Sequence, residues 1–291
     1  PPMRARLPGL HAGALASALR KMAAWPHRLA DIGDGYTSTV MFDETYSQRD
    51  GTLTRRPLGD NTFPTAPRDW VLSGPHFFVA NPFNKTPFRI CSSNKAYDPI
   101  DLEALPDDYL PRSNYWPMAD RVEYVRHTPR VSWVEEGEVA ARPVTDYFRV
   151  AFRAMLPISG ERTLTGALIP PGAGHIHGVQ SNAIRTVADL VLVGATTSAL
   201  IADYYIKTIG RANLHGTWTQ LPKLEYIQPV AGRYLALNCL TTHYAPLWEQ
   251  AYDLAFAEQE WGQPANPRLP HDFWSQLTST WTRHCALRSD Y

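Results

Sequence analysis

Residues 190–225 read LVLVGATTSALIADYYIKTIGRANLHGTWTQLPKLE, and the fold predicted for the chain depends on this stretch. It begins with a short apolar run, Leu190–Val193, which predicts a buried strand that ends at Gly194. Residues 196–198 then offer hydroxyls that can cap the first turn of a helix. From Ala199 onward, apolar and aromatic residues recur at helical spacing, so the pattern predicts a strand followed by a capped helix.

The second half of this stretch predicts a polar loop without acids. Gly210 stands where a left-handed cap would end the helix, and residues 211–217 follow as the loop. Between Asp203 and Glu225 there is no acidic side chain, whereas the same window contains Lys207, Arg211 and Lys223. An acid-free loop with Asn, His and Thr at its tip is typical of a surface that reads nucleic acid. A core helix followed by an ordinary polar loop is the alternative interpretation.

The stretch also contains a longer motif: small residues, an aromatic helix, Lys-Thr-x-Gly, Asn-Leu and Leu-Pro. In this chain it stands as residues 196–198, 203–205, 207–210, 213–214 and 221–222. This order resembles the C-terminal target-recognition region of adenine-specific DNA methyltransferases of the type IIG restriction-modification kind, with relatives in BREX-like and DISARM-like phage defence. Two further blocks are similar to the same family, so the resemblance extends from about Thr39 to the C-terminus: residues 70–89 with 100–115, and residues 146–171.

The resemblance implies an α/β (α+β) fold, a mixed-sheet target-recognition domain with a C-terminal helical pair. Residues 1–60 would be a helix and hairpin that link to an upstream catalytic domain, residues 61–229 the recognition domain, and residues 230–291 a helical segment packed on it. The chain would then be part of something longer. It would recognise a specific double-stranded DNA sequence, while the upstream domain transfers methyl groups from S-adenosylmethionine. No cofactor is expected in this chain itself.

The residues expected to contact DNA lie in loops and on one face of a strand. Lysine and arginine side chains would hold phosphates, and loop side chains would read base edges. On the strand predicted over residues 145–155, Arg149 and Arg153 would project together from one face. The expected contacts are Lys85, Arg149, Arg153, Lys207, Arg211, Asn213, His215 and Thr217.

The composition predicts a folded protein without the overall charge of a simple nucleic-acid binder. Hydrophobic residues make up 44% of the 291 residues, which is enough for a sizeable core. Lys plus Arg number 28 and Asp plus Glu number 28, so the net charge is zero, whereas non-specific DNA affinity comes from neutralising phosphates. The charges are segregated, however, because residues 70–97 contain Lys85, Arg89 and Lys95 but no acid. A basic face on a neutral protein is therefore compatible with the sequence.

Cysteine usage and hydropathy bear on the compartment. Cys91, Cys239 and Cys285 are widely spaced and form no CxxC pair, which is typical of reduced thiols and not of a disulfide framework. No apolar run approaches the roughly 20 residues of a membrane helix, and the N-terminus lacks the apolar core of a signal peptide. We therefore expect a cytoplasmic protein without a membrane partner.

Three short motifs could carry catalysis or bind a metal, and each lacks a necessary part. Residues 31–35 resemble the Asp-x-Gly-x-Gly turn of a cofactor-binding methyltransferase, but no apolar strand precedes them. Asn-Pro-Phe at residues 81–83 lacks the second proline of the motif that holds a flipped adenine. His175 and His177 have the spacing of two metal ligands, with no third ligand nearby. An autonomous enzyme that uses S-adenosylmethionine or a metal, and a structural or protein-interaction segment of a defence complex, are the two alternative functions.

The remaining pattern predicts the other helices and strands. Helical spacing predicts a helix over residues 10–22, and Asp50–Gly51 predicts the turn of a hairpin over residues 40–54. The other predicted strand regions are 71–80, which is broken at residues 73–75, and the strands 145–155 and 164–169, which form a hairpin. Amphipathic helices over residues 230–256 and 273–288 would form the C-terminal pair.

Overall fold

Short strands and helices alternate along the residues that the computed structural model describes, which are 13–78, 82–102, 104–157, 159–225, 228–259 and 273–282. The strands are β1 (Tyr36–Thr39), β2 (Leu53–Arg55), β3 (Val71–Leu72), β4 (Lys85–Pro87), β5 (Tyr97–Pro99), β6 (Tyr115–Pro117), β7 (Arg149–Arg153), β8 (Gly166–Ile169), β9 (Gly174–His175) and β10 (Val179–Ile184). The α-helices are α1 (Gly13–Ala24), α2 (Tyr46–Arg49), α3 (Arg121–His127), α4 (Val187–Ser198), α5 (Leu200–Ile209), α6 (Gln228–Asn238) and α7 (Ala245–Ala251). The predicted mixed α/β class is confirmed.

The centre of the fold is a four-stranded antiparallel sheet with the strand order β1, β10, β7, β8. β7 and β8 pair from Arg149 opposite Ile169 to Phe152 opposite Gly166, which confirms the hairpin predicted from residues 145–155 and 164–169. β10 lies between β1 and β7 and is buried along its whole length.

Helix α4 covers one face of this sheet. Its Leu190 and Val191 belong to the same buried cluster as Val150, Phe152 and Leu168 of the sheet. The strand predicted at Leu190–Val193 is therefore wrong, because the run lies inside α4. Four apolar residues do not distinguish a buried strand from a buried helix. The deciding signal lies upstream, where the Thr186 hydroxyl accepts a hydrogen bond from the Asp189 amide and caps the helix.

Helix α5 follows almost at once and ends as predicted. Gly210 adopts φ 64° and ψ 32° at its C-terminus, a left-handed cap that glycine adopts without steric cost. The predicted hydroxyl cap at its N-terminus is wrong, because Ala199 occupies that position and makes no side-chain cap. The Thr197 hydroxyl instead donates to the Val193 carbonyl at 2.7 Å and belongs to the last turn of α4.

The N-terminal half of the chain covers the opposite face of the sheet. Trp70, Leu72 and Phe77 form a second buried cluster with Ala151 and Ile169. Three short strand pairs support this layer: β2 with β6, parallel β3 with β9, and β4 with β5.

The strand predictions in this half differ in outcome. The hairpin over residues 40–54 does not form, because β1 pairs with β10, β2 pairs with β6, and α2 lies between them. Of the strand region predicted over residues 71–80, Val71–Leu72 form β3, and the predicted break is a 3₁₀ turn at Gly74–His76 around Pro75. Residues 79–80 lie outside the described part of the chain.

The C-terminal helices pack against α4. Tyr234 and Leu235 of α6 and Leu247 of α7 belong to the cluster that contains Leu190. The helix predicted over residues 230–256 is broken after Asn238. Of the second predicted helix, residues 274–276 form a 3₁₀ turn, and residues 283–288 lie outside the described part of the chain.

The predicted division of the chain stays a prediction. β1, from residues 1–60, is hydrogen-bonded into the sheet of residues 61–229, and α6, from residues 230–291, packs on the same core. Across the described residues no single helix is both long and apolar enough to cross a membrane, and α4 with α5 meets that test only as a pair bent by 69°.

Candidate nucleic-acid interface

A cleft of about 450 Å³ opens at the end of the central sheet where β7 finishes and β10 begins. Arg153 and Met155 line it from the β7 side, and Gly178 lines it from the residue before β10. The other walls come from the N-terminal half of the chain. The cleft thus lies between the sheet and the layer that covers its second face.

Four cations from four separate segments line this cleft: Arg55 of β2, Lys85 of β4, Lys95 before β5, and Arg153 of β7. None of them forms an ion pair with another described residue. The acid in the lining is Glu44, whose carboxylate accepts a hydrogen bond from the Tyr115 hydroxyl. The cleft therefore carries a local excess of positive charge, although the whole chain is neutral.

Two exposed apolar side chains stand among these cations. The Phe78 ring is 45% exposed, and the Lys85 ammonium lies 4.2 Å from its centroid, a cation–π contact. Met155 is 62% exposed. An aromatic ring beside free cations is a combination that proteins use to hold nucleotides, because the ring contacts the base and the cations contact the phosphate.

The buried residues that line the cleft are uncharged, and several of them are polar. The Tyr97 hydroxyl lies 2.9 Å from the Ser73 hydroxyl and accepts a hydrogen bond from the Asn114 amide at 3.1 Å. The Asn114 amide also lies 3.5 Å from the Cys91 sulfur. Burial raises the pKa of Tyr97 to about 12, so the phenol stays protonated at neutral pH.

The loop of residues 211–217 lies beside the mouth of the cleft because main-chain hydrogen bonds tie it to the end of β7. The Leu156 amide donates to the Ala212 carbonyl at 2.9 Å, and the Leu214 amide donates to the Ala154 carbonyl at 2.9 Å. Between these bonds, Asn213 forms a bridge with Met155, which lines the cleft.

His215 sits at the tip of this loop in an unusual backbone conformation, with φ 42°. The Gln180 side chain at the start of β10 donates to its carbonyl at 3.0 Å and holds it in place. Such a conformation costs about 1–3 kcal/mol and persists only where the surrounding structure enforces it. The imidazole itself is exposed.

Five of the eight predicted contact residues come together on this surface. Lys85 and Arg153 line the cleft, and Arg211, Asn213 and His215 are exposed on the adjoining loop. We call these five, together with Arg55 and Lys95, the cleft-and-loop surface.

The predicted contact of Arg149 with DNA is wrong, because this residue is fully buried. Its guanidinium donates to the Ser181 hydroxyl at 3.2 Å and to the Ala173 carbonyl. Strand alternation correctly placed it on one face with Arg153, but that face is covered by a second core. Burial lowers the pKa of Arg149 to about 10, so it remains a cation that cannot reach DNA.

Thr217 and Lys207 are also engaged inside the fold. Thr217 is buried in the 3₁₀ helix His215–Gln220, so its predicted contact with DNA is wrong. Lys207 is half-buried, and its ammonium donates to the Gly160 carbonyl at 3.1 Å. It therefore holds the connection between β7 and β8.

The cleft also contains residues that the sequence did not single out as contacts: Arg55, Lys95, Phe78 and Met155. The sequence does point to Lys95, because this residue belongs to the acid-free window of residues 70–97. Arg55 reaches the cleft through the pairing of β2 with β6, which no local pattern encodes.

The three motifs considered for catalysis have different surroundings in the described part of the chain. Residues 31–35 belong to a 3₁₀ segment that no strand precedes. His175 is fully buried, whereas His177 is exposed and lies 3.2 Å from Asp43. Within the described ranges, no cluster of His, Cys, Asp and Glu has the arrangement of a metal site. Asn81 of the Asn-Pro-Phe motif lies outside the described residues, and residues 82–84 form a 3₁₀ turn.

No protein-family model, no curated protein and no solved structure matches this chain.

Proposed function

We propose that this chain binds double-stranded DNA through the cleft-and-loop surface. The observation that carries the proposal is the convergence of Arg55, Lys85, Lys95 and Arg153, from four separate segments, on one cleft without ion-pair partners among the described residues. Unpaired cations repel one another and are costly to gather unless an anion neutralises them. The phosphates of a DNA backbone form a continuous row of negative charges that is long enough to neutralise all four cations.

The loop supplies groups of the type that read sequence. The Asn213 amide presents a donor and an acceptor, which matches the edge of adenine in the major groove. His215 is exposed at the rigid tip, and Arg211 adds a further cation at the start of the loop. In this proposal the cleft holds the backbone, and the loop side chains contact base edges.

The resemblance noted in the sequence supports a narrower proposal. The chain would serve as the target-recognition part of an adenine-specific DNA methyltransferase in restriction-modification or phage defence. Methyl transfer from S-adenosylmethionine would then occur in an upstream domain, and this chain would determine which site is presented to it. Its partners are accordingly a DNA duplex and that catalytic domain.

The test is a titration of DNA with the purified chain. Binding is measured by fluorescence anisotropy over a range of salt concentrations. Lys85→Ala, Arg153→Ala and Arg211→Ala should each weaken binding. Each should also reduce the slope of log K against log salt by about 1, the change expected for one lost phosphate contact. The matched control is Arg126→Ala, since Arg126 is exposed, pairs with Glu123 at 2.8 Å and lies outside the cleft. It should leave both affinity and slope unchanged.

The alternative is a structural or protein-interaction segment of a defence complex, which the zero net charge favours. That function predicts no salt-dependent affinity for DNA. Absence of binding at low salt would overturn the proposal of an autonomous DNA reader. An equal effect of Arg126→Ala and Arg153→Ala would overturn the assignment to the cleft.

A further inference from the structure

The cleft has a shape that contact with a duplex backbone alone does not require. Its volume of about 450 Å³ lies within the range of roughly 300–1,000 Å³ that small-molecule sites occupy. A duplex lying across the surface would contact the rim of such a cleft and leave its interior empty. A separate, smaller ligand would be needed to fill the interior.

The cleft is graded from an uncharged interior to a charged rim. Ser73, Cys91 and Tyr97 are buried at its inner end, whereas Arg55 and Lys95 are exposed at its outer end. A nucleotide has the same gradation, because its base is neutral and polar while its phosphate is charged. Its base would meet the uncharged part of the lining, and its phosphate would meet the cations.

Phe78 gives the cleft an aromatic surface beside that rim. Its ring is 45% exposed, although the neighbouring Phe77 is almost fully buried in the second core. Exposed apolar side chains are common on protein surfaces, so the Phe78 ring matters here because it lines the cleft. The Lys85 ammonium lies 4.2 Å from the ring centroid, so an aromatic surface and a cation are held together in one place.

We infer that the cleft binds one unstacked nucleotide, with its base against Phe78 and its phosphates on Arg55, Lys85, Lys95 and Arg153. For the source of this nucleotide, the inference rests on the proposed function: it belongs to the DNA strand that the adjoining loop holds. The cleft opens beside the Asn213–Met155 bridge, so a strand crossing the loop passes its mouth. An unpaired nucleotide enters more readily than a paired one, because the cost of unstacking and unpairing is smaller.

The experiment compares two probes, a fully paired duplex and the same duplex carrying one unpaired adenine nucleotide. The intact chain should bind the second probe at least about fivefold more tightly, as expected when one base stacks on an aromatic side chain. Phe78→Ala should remove this preference while affinity for the paired duplex and its salt dependence are kept. Phe78→Trp should restore the preference, and thermal unfolding of each variant establishes that it is folded.

The outcomes separate this inference from the proposed function. Equal binding of the two probes by the intact chain overturns the nucleotide pocket and leaves the DNA-binding proposal standing. A loss of both affinities in the same proportion in Phe78→Ala also overturns it, since Phe78 would then belong to the general contact surface. Absence of binding to either probe overturns both proposals.

Discussion

His175 should make the fold sensitive to mild acid. Its ring is fully buried, where its Nδ1 lies 3.2 Å from the Ile176 carbonyl and its Nε2 lies 2.8 Å from the Ser181 hydroxyl. The Arg149 guanidinium donates to the same hydroxyl. The chain of hydrogen bonds is complete when Nδ1 donates and Nε2 accepts, which is the neutral imidazole.

The size of this effect follows from the pKa. Burial, with a smaller contribution from the Arg149 charge and a further one from His177, lowers the pKa of His175 to about 3. In the unfolded chain the pKa returns to about 6.5. Between these values the unfolded state binds more protons, so the free energy of unfolding falls as the pH falls. From pH 7 to pH 5 the expected loss through this one group is about 2 kcal/mol.

The assay is urea unfolding of the wild type and of His175→Gln over this pH range. Glutamine can accept from the Ser181 hydroxyl but does not titrate, so the variant should lose about 2 kcal/mol less between pH 7 and pH 5. The control is His27→Gln at an exposed position, which should keep the pH dependence of the wild type. Identical slopes for wild type and His175→Gln would refute the claim that the folded protein holds this ring neutral.

Three further predictions concern the core. Arg149→Met should be more stable than Arg149→Ala by about 2 kcal/mol, because methionine fills the buried space. Equal urea midpoints for the two variants would contradict this difference in stability. Arg149→Met should also weaken the acid sensitivity that His175 causes. Asp203→Ala should cost about 2–6 kcal/mol, since its carboxylate accepts from the buried Thr163 and Leu164 amides at 2.8 and 2.6 Å. Asp203→Asn keeps an acceptor and should cost less, and chemical unfolding that ranks the two variants alike would count against the importance of these hydrogen bonds. Gly194→Ala should cost about 1–3 kcal/mol, since a Cβ there overlaps the Tyr234 phenol, and an unchanged melting temperature would show that this phenol moves freely.

Local signals predicted the elements that local chemistry defines. Gly210 is predictable as a left-handed cap, and the alternation along β7 places its side chains on the correct faces. The run Leu190–Val193 is ambiguous, because apolar residues alone do not choose between a buried strand and a buried helix. β10 was not predicted, since Ser181 and Asn182 look like loop residues until the fold supplies their hydrogen-bond partners.

The candidate site was predictable only in part for a related reason. Lys85, Lys95 and Arg211 belong to windows without acids, so their local chemistry is visible in the sequence. Arg149 and Arg153 have the same local pattern, yet one is in the core and the other in the cleft. Their difference depends on what covers each end of β7, which is decided by segments far away in the chain.

The attachment of the loop to β7 has a consequence for how freely the sequence of the loop can change. Main-chain atoms alone form the two hydrogen bonds at Leu156 and Leu214, and the buried Leu214 side chain anchors the loop from below. The exposed side chains of Arg211, Asn213 and His215 contribute nothing to that attachment. Substitutions at Arg211 and Asn213 are therefore expected to be nearly neutral for folding, whereas His215 is restricted to residues that tolerate its positive φ. Two exposed positions of the loop can thus change their side chains while the main-chain attachment is kept.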